Sequence, residues 1–404
     1  MNPMRRLLEK SRHPETARPW SGEKLYFRGD DYFRDLLKSV QRAKKSVDFE
    51  TYIFEKGWLG DRVVSVLAHA ARRGVRVRLL VDGVGSPDFA SHYGPLLKKQ
   101  GIRFRVYRSW PSLFTSLSLA LWFQGFGHLF RNLRRIWNWG GHRDHRKLCV
   151  VDGERVWVGG FNVSDFHLEK RMGRRAWRDT GIGLAGVKSY VFQLAFHLAW
   201  EEQSLSHLRL SYKKMLVRWL SHDVLEGPVR LNVTRRLRRI FNHRLSERIT
   251  SAQKRIWITT PYFVPTRDLF RALLKAARKG RDVRLALPGL SDVPMVKWAS
   301  TAFYSRLLRA GCRIFEYQGR VLHAKTLLID RRAYVGSSNL NHRSLLHDLE
   351  IIVLPQRRQS LRTLEGQFGK DLLQCREITL LELKRRPFLS RLLSVLFFQF
   401  RYWF

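Results

Sequence analysis

Apolar residues along the chain recur at two spacings that alternate in a fixed order, and that order occurs twice. From Asp35 to Gly83 a three-to-four spacing (LLKSVQRAKKS) predicts a helix, followed by a strand that ends at Glu50-Thr51-Tyr52. A second helix (VVSVLAHAARRG) and a strand of period two (VRVRLLVDG) complete the unit. From Leu245 to Gly289 the same order returns as ERITSAQKR, IWITTPYF, DLFRALLKAARKG and DVRLALPG. Gly74 and Gly280 each stand just after the second helix, where glycine ends a helix without strain. Helices alternating with apolar strands predict an α/β layered fold in each half, and recurrence of both element order and glycine placement marks an internal duplication.

The halves differ in one respect. Gly74 and His145 are 71 residues apart but Gly280 and His323 only 43, so the first half carries an insertion, placed at 110–141. Polar residues and Gly227-Pro228 predict a linker over 207–228. The expected division is a basic segment 1–24, a first domain 25–206, the linker, a second domain 229–380 and a tail 381–404.

After each repeat stands the same cluster. His145 and Lys147 precede Asp152, and His323 and Lys325 precede Asp330, each an H-x-K-x4-D pattern. Gly159-Gly160-Phe161-Asn162 follows the first and Gly336-Ser337-Ser338-Asn339 the second. Residue frequencies give one such pattern on the order of 10⁻⁴ per position, so two copies in equivalent places are not accidental. A histidine and a lysine two apart on a strand face the same side. An imidazole can attack phosphorus, an ammonium can hold phosphate oxygens, and an asparagine amide adds a neutral donor. Two sets supply a nucleophile and a proton donor, which requires one imidazole neutral and one protonated near neutral pH. The residues alone do not say which is which. His142, three residues before His145, lacks cysteines at ligand spacing and reads as cleft lining or solvated.

These motifs resemble the phospholipase D superfamily over about Leu25 to Leu380, and within it bacterial cardiolipin synthases that lack N-terminal membrane spans. Leu79 to Pro87, Trp177-Arg178-Asp179-Thr180 and Gly336 to Leu340 carry the likeness to that subgroup. One departure is visible: five residues, not six, separate Asp330 from Gly336. The resemblance implies two α/β/α sandwich domains packed with pseudo-two-fold symmetry, and chemistry without metal or cofactor. It makes His145 the nucleophile, forming a phosphohistidine, and His323 the general acid and then base. Lys147, Lys325, Asn162 and Asn339 are then the phosphate-binding groups. Asp179 and Glu350, grouped with the asparagines around the substrate, are placed to orient the imidazoles. Asp152 and Asp330 belong to the motif but serve more often as framework.

Lysine and arginine number 75 against 34 acidic residues, a formal charge of +41, which calls for a polyanionic partner. Nucleic acid satisfies charge alone. The insertion mixes tryptophans with Arg131, Arg134 and Arg135, and the tail PFLSRLLSVLFFQFRYWF winds into an amphipathic helix; both suit an anionic bilayer. No run reaches the roughly 18 uncharged apolar residues of a membrane span, and three scattered cysteines give neither a disulfide framework nor a zinc cluster. The expectation is therefore a peripheral enzyme on the cytoplasmic face of a bacterial inner membrane. It would transfer a phosphatidyl group from phosphatidylglycerol to a second phosphatidylglycerol, with no nucleic-acid partner. The rival activities are lipid hydrolysis to phosphatidic acid and cleavage of nucleic acid.

Overall fold

Alternating helices and strands build two mixed sheets of matching order. The computed structural model describes residues 19–108, 142–187, 190–202, 227–400 and 402. The insertion 110–141 and nearly all of the linker 207–228 lie outside the described residues.

The first sheet contains β1 (Gly22–Tyr26), β2 (Ser46–Thr51), β3 (Arg76–Asp82), β4 (Arg103–Tyr107), β5 (Leu148–Val151), β6 (Arg155–Gly159) and β7 (Gly181–Ala185), in the order β1-β7-β6-β5-β2-β3-β4. The second contains β8 (Val229–Leu231), β9 (Arg255–Thr259), β11 (Asp282–Pro288), β12 (Arg313–Tyr317), β13 (Thr326–Ile329), β14 (Arg332–Gly336), β16 (Ile351–Val353) and β17 (Cys375–Ile378). Its order, β17-β12-β11-β9-β13-β14-β16-β8, is the first read backwards with one added edge strand. The short pair β10 (Phe263–Val264) and β15 (Leu340–Asn341) lies apart from both sheets. In each half three strands run parallel, joined by crossover helices, and the remainder are antiparallel. Helices Trp58–Arg72 and Arg267–Arg278 each bury one apolar face, the stripe that the repeated spacing predicts.

The missing residue in the second motif is taken up in a hairpin. Leu148 faces Val158 across β5 and β6, and Thr326 faces Val335 across β13 and β14, so the residue before each motif glycine keeps its register. Only the loop shortens, from three residues to two.

Two apolar cores are private to the halves, and a third is shared. Leu148, Val158 and Ile182 of the first sheet join Leu328, Val335 and Ile351 of the second in one buried cluster, to which Phe192 and Phe196 of helix Tyr190–Glu202 contribute. Across this layer runs a fully buried ion pair, Arg178 Nε to Asp371 Oδ1 at 3.0 Å and Nη2 to Oδ2 at 2.7 Å. A bidentate guanidinium–carboxylate pair has little rotational freedom, so it fixes the angle between the halves as well as their contact.

The C-terminal helix Phe388–Gln399 packs on helix Pro294–Arg309. Phe397 stacks on Trp298 with ring centroids 5.3 Å apart, and Phe398 meets Phe303 edge-on at the same distance. Leu392, Val395 and Leu396 on that helix, and Phe400 and Tyr402 beyond it, stay exposed. The tail is thus part core packing and part apolar surface. No helix among the described residues is long and apolar enough to cross a membrane.

Removing one partner of a buried pair leaves the other charge uncompensated. Asp371→Ala should therefore cost about 3–5 kcal/mol, read as a lowered midpoint in urea unfolding. A midpoint equal to that of the parent chain would mean that Arg178 and Asp371 do not hold the halves together.

Candidate active site

Each motif strand is tied to the opposite half before its side chains reach the cleft. Asp144 forms a parallel bridge with Leu349, and Arg178 forms one with Leu322. The His145 N–H donates to the Leu349 carbonyl at 3.1 Å and the His323 N–H to the Arg178 carbonyl at 2.8 Å. One residue further along, the side chains make the same exchange. His145 Nδ1 lies 3.0 Å from Glu350 Oε1, and His323 Nδ1 lies 2.6 Å from Asp179 Oδ2. Both carboxylates are completely buried behind the imidazoles, each in hydrogen-bond reach of one Nδ1, the place expected of them. With Nδ1 engaged in each case, Nε2 is the nitrogen free to react.

Buried charges support the first strand. Arg146 reaches Glu50 at 2.6 Å and Asp144 at 3.0 Å, while Arg143 binds Asp82 at 2.8 Å. Lys147 and Lys325 are buried, and each ammonium lies near the backbone carbonyl of its own histidine. Lys325 Nζ is also 3.1 Å from His323 Nε2, so cation and reactive nitrogen share one spot. Asn162 Oδ1 accepts the Ile53 N–H at 3.2 Å, which leaves its amide NH₂ as the donating end. Asn339, the second asparagine, is equally buried.

The motif aspartates are elsewhere. Asp152 accepts backbone N–H groups of Lys44, Lys45 and Ser46, and Asp330 those of Gln253, Lys254 and Arg255, each in the hairpin turn with positive φ. Those donors outweigh the small cost of burial and hold both carboxyls below the usual range. They clamp the turn to the neighbouring strand's start, the framework place expected of them.

Electrostatics separates two sites that geometry makes alike. Burial pushes the Asp179 carboxyl up, but His323 and Lys325 beside it pull harder and hold it at about 2. Burial dominates at Glu350, raised to about 7 against the pull of Lys147. Burial lowers both imidazoles, and both lysines depress His145 further, well below its ordinary value. At His323, burial and Lys325 are opposed by Asp179. Burial and Lys325 bring Lys147 to about 7, and burial brings Lys325 to about 8. The pocket is thus built to gain an anion: a phosphodiester between the ammonium groups offsets their cost.

Further side chains complete the surroundings, Tyr52 and His167 among them without any mark in the sequence. Tyr52 packs against His145 with centroids 4.9 Å apart, and Trp177 against His323 at 5.1 Å. Ser337 donates its hydroxyl to Glu350. Its counterpart Gly160 lies so close to Asp179 that a Cβ there would meet Oδ1 at 2.1 Å. His142, half-buried, places Nδ1 2.9 Å from the His347 carbonyl and stacks on that ring, across the two halves. His167 joins Asp179 and His323, the three ligand atoms within 4.8 Å of one another. Lys325, 3.0 Å from His323 Nδ1, places a positive charge where a divalent ion would sit and disfavours one.

The model of the family described as "Cardiolipin synthase, PLD-like domain" matches residues 36–172 and 245–372, one match per half. A cardiolipin synthase of Clostridium perfringens is 30% identical over 373 residues, 91% of this chain and 74% of that protein. A cardiolipin synthase of Staphylococcus aureus is 31% identical, over 88% and 68%. Among solved structures, phosphatidylserine synthase of Haemophilus influenzae superimposes with a TM-score of 0.66 at 13% identity, covering 99% of this chain and 98% of that one.

Glu350 generates a pH test. Its folded pKa of about 7 lies above the ordinary 4.5, so the folded state holds a proton that the unfolded chain has released between those values. The cost is absent below pH 4.5, grows through the window and is complete above 7, reaching up to about 3 kcal/mol. Glu350→Gln should accordingly be more stable than the parent at pH 8, with the gap closing toward pH 5. Parallel unfolding midpoints across that range would show that Glu350 is not raised.

Proposed function

The chain belongs to the cardiolipin synthase, phospholipase D-like family, and from that premise we propose that it joins two phosphatidylglycerol molecules into cardiolipin with release of glycerol. The crossed imidazole–carboxylate pairs carry this reading, because each engages one Nδ1 from the other half and leaves the Nε2 of that ring for reaction beside a buried ammonium group.

In the first step His145 Nε2 attacks the phosphorus of the donor lipid. The P–N bond forms as the bond from phosphorus to the glycerol oxygen breaks, and the proton on His323 Nε2 passes to that oxygen. In the second, neutral His323 takes the proton from a hydroxyl of the acceptor's glycerol headgroup. The resulting oxygen attacks phosphorus, the P–N bond breaks and His145 is restored. Lys147, Lys325, Asn162 and Asn339 hold the phosphoryl oxygens throughout. The unequal carboxylates support this order. Asp179, held ionised, favours a protonated His323; Glu350, close to protonation itself, leaves His145 the neutral nucleophile. All the roles are filled by side chains, so a divalent ion has no step to serve.

Membrane attachment at the cytoplasmic side of a bacterial inner membrane rests on surface character. Leu392, Val395, Leu396, Phe400 and Tyr402 offer an apolar face. Arg271, Lys275, Arg278, Lys279 and Arg306 line a surface hollow on the same half. Apolar side chains with a basic surround suit anionic headgroups.

His145→Ala and His323→Ala should each abolish turnover of phosphatidylglycerol vesicles, whereas EDTA should leave the parent chain active. Lipid analysis should show cardiolipin and free glycerol. Phosphatidic acid as the main product would make the chain a hydrolase, and His145-dependent DNA cleavage without lipid turnover would make it a nuclease.

Replacing Leu392, Val395 and Leu396 together by Ser should weaken binding to anionic vesicles at least tenfold, since each apolar side chain contributes on the order of 1 kcal/mol or more when buried in the bilayer. Sedimentation with vesicles reads this. Equal binding would reassign the face to another role.

A further inference from the structure

His167 lies outside the two repeated motifs, yet it touches both halves of the site. It is fully buried, its ring 5.8 Å from that of His323 and 5.5 Å from those of Phe161 and Trp177. Its Nε2 accepts the backbone N–H of Asn162 at 3.2 Å, so that nitrogen carries no proton. The proton of the neutral ring is then on Nδ1, and burial keeps the ring neutral by pushing its pKa down to about 3. Nδ1 has no hydrogen-bond partner among the described residues. Asp179 Oδ2 lies 3.9 Å from it, the same oxygen that His323 Nδ1 approaches to 2.6 Å. A shift of about 1 Å would make it a hydrogen bond, and bonds of this kind often tighten only when substrate is bound.

The duplication supplies the comparison. Counting five residues from each motif asparagine, His167 corresponds to Ser344, and both lie by the carboxylate that orients the opposite histidine; the Ser344 side chain is close enough to Glu350 to pull its carboxyl down. Glu350 thus has two hydroxyl neighbours, Ser337 and Ser344. Asp179 has the Thr180 N–H on Oδ1 at 2.7 Å and an imidazole donor aimed at Oδ2.

We propose that His167 is a positioning residue: it directs its Nδ1 proton at Asp179 Oδ2, holds that carboxylate in line with His323 Nδ1, and so favours His323 over His145 as the proton-carrying imidazole. Through Asn162 it also fixes the backbone that presents one phosphate donor, so a single ring couples proton donor and phosphate holder. The other groups facing His323 are Lys325, which opposes its protonation, Trp177 and Tyr262, with the charge of Asp292 beyond. His145 on the other side of the cleft, with Lys147 and Glu350 around it, completes the set.

This inference rests on the role of His323 proposed above, and it is tested without turnover. In the full chain, ¹⁵N-imidazole NMR follows the titration of His323 in the parent, in His167→Phe, which keeps ring volume without polar atoms, and in His167→Asn, whose amide can accept from Asn162 and donate to Asp179. His323 should titrate at lower pH in His167→Phe and return most of the way in His167→Asn. With phosphatidylglycerol vesicles, kcat should fall about tenfold in His167→Phe, a loss in the direction expected of a weakened general acid, with KM within twofold and the alkaline limb of the pH profile moved to lower pH. An unchanged His323 titration in His167→Phe overturns the proposal. So does a His167→Asn chain that folds but behaves as His167→Phe, since the role is then volume alone. If the titrations shift as expected while the parent chain leaves phosphatidylglycerol untouched, the positioning role stands and the substrate reading fails.

Discussion

Everything in the cleft depends on one arrangement, the crossing of each histidine to a carboxylate of the other half. An imidazole oriented by a partner in its own half could keep its geometry if the halves separated. Here the separation would strip both rings of Nδ1 partners at once and expose Asp179 and Glu350 to water. The shared apolar layer and the Arg178–Asp371 pair are therefore requirements of the chemistry as much as of stability. A misplacement of about 1 Å at reacting atoms can cost a hundredfold in rate, so rigidity between the sheets bears directly on turnover.

Duplication ordinarily yields two equal sites, and the chemistry needs two unequal ones. In a symmetric pair of identical subunits both imidazoles would meet identical carboxylates, and one proton would have to choose between equivalent nitrogens. Fusing the copies into one chain lets each diverge. The differences are few and local: Asp179 against Glu350, Gly160 against Ser337, His167 against Ser344. Each changes what surrounds a carboxylate oxygen.

Much of the frame was legible in the sequence, because apolar spacing and glycine placement are local properties. Helices Trp58–Arg72 and Arg267–Arg278 and the strands after them stand where the repeat puts them. The crossing was not legible. Asp179 follows His145, and Glu350 follows His323, so chain order associates each carboxylate with the wrong ring; only the bridges at Leu349 and Arg178 reverse it. His167 gave no signal either, since a lone histidine between apolar residues has no periodicity to report its neighbours. The motif aspartates read as framework in the sequence and stand as framework in the fold. Their regular spacing from the lysines reflects the length of one four-residue strand and carries no information about the cleft.

The C-terminal helix has a consequence for how the molecule would stand on a surface. It rides on helix Pro294–Arg309, which belongs to the second half, and nothing equivalent among the described residues follows the first sheet. A footing on that helix would tilt the pseudo-two-fold axis away from the bilayer normal. Two chemically identical lipids rising from the same leaflet would then meet the cleft by unequal paths, one short and one long. Donor and acceptor could be told apart by their route of entry, without any difference in their headgroups.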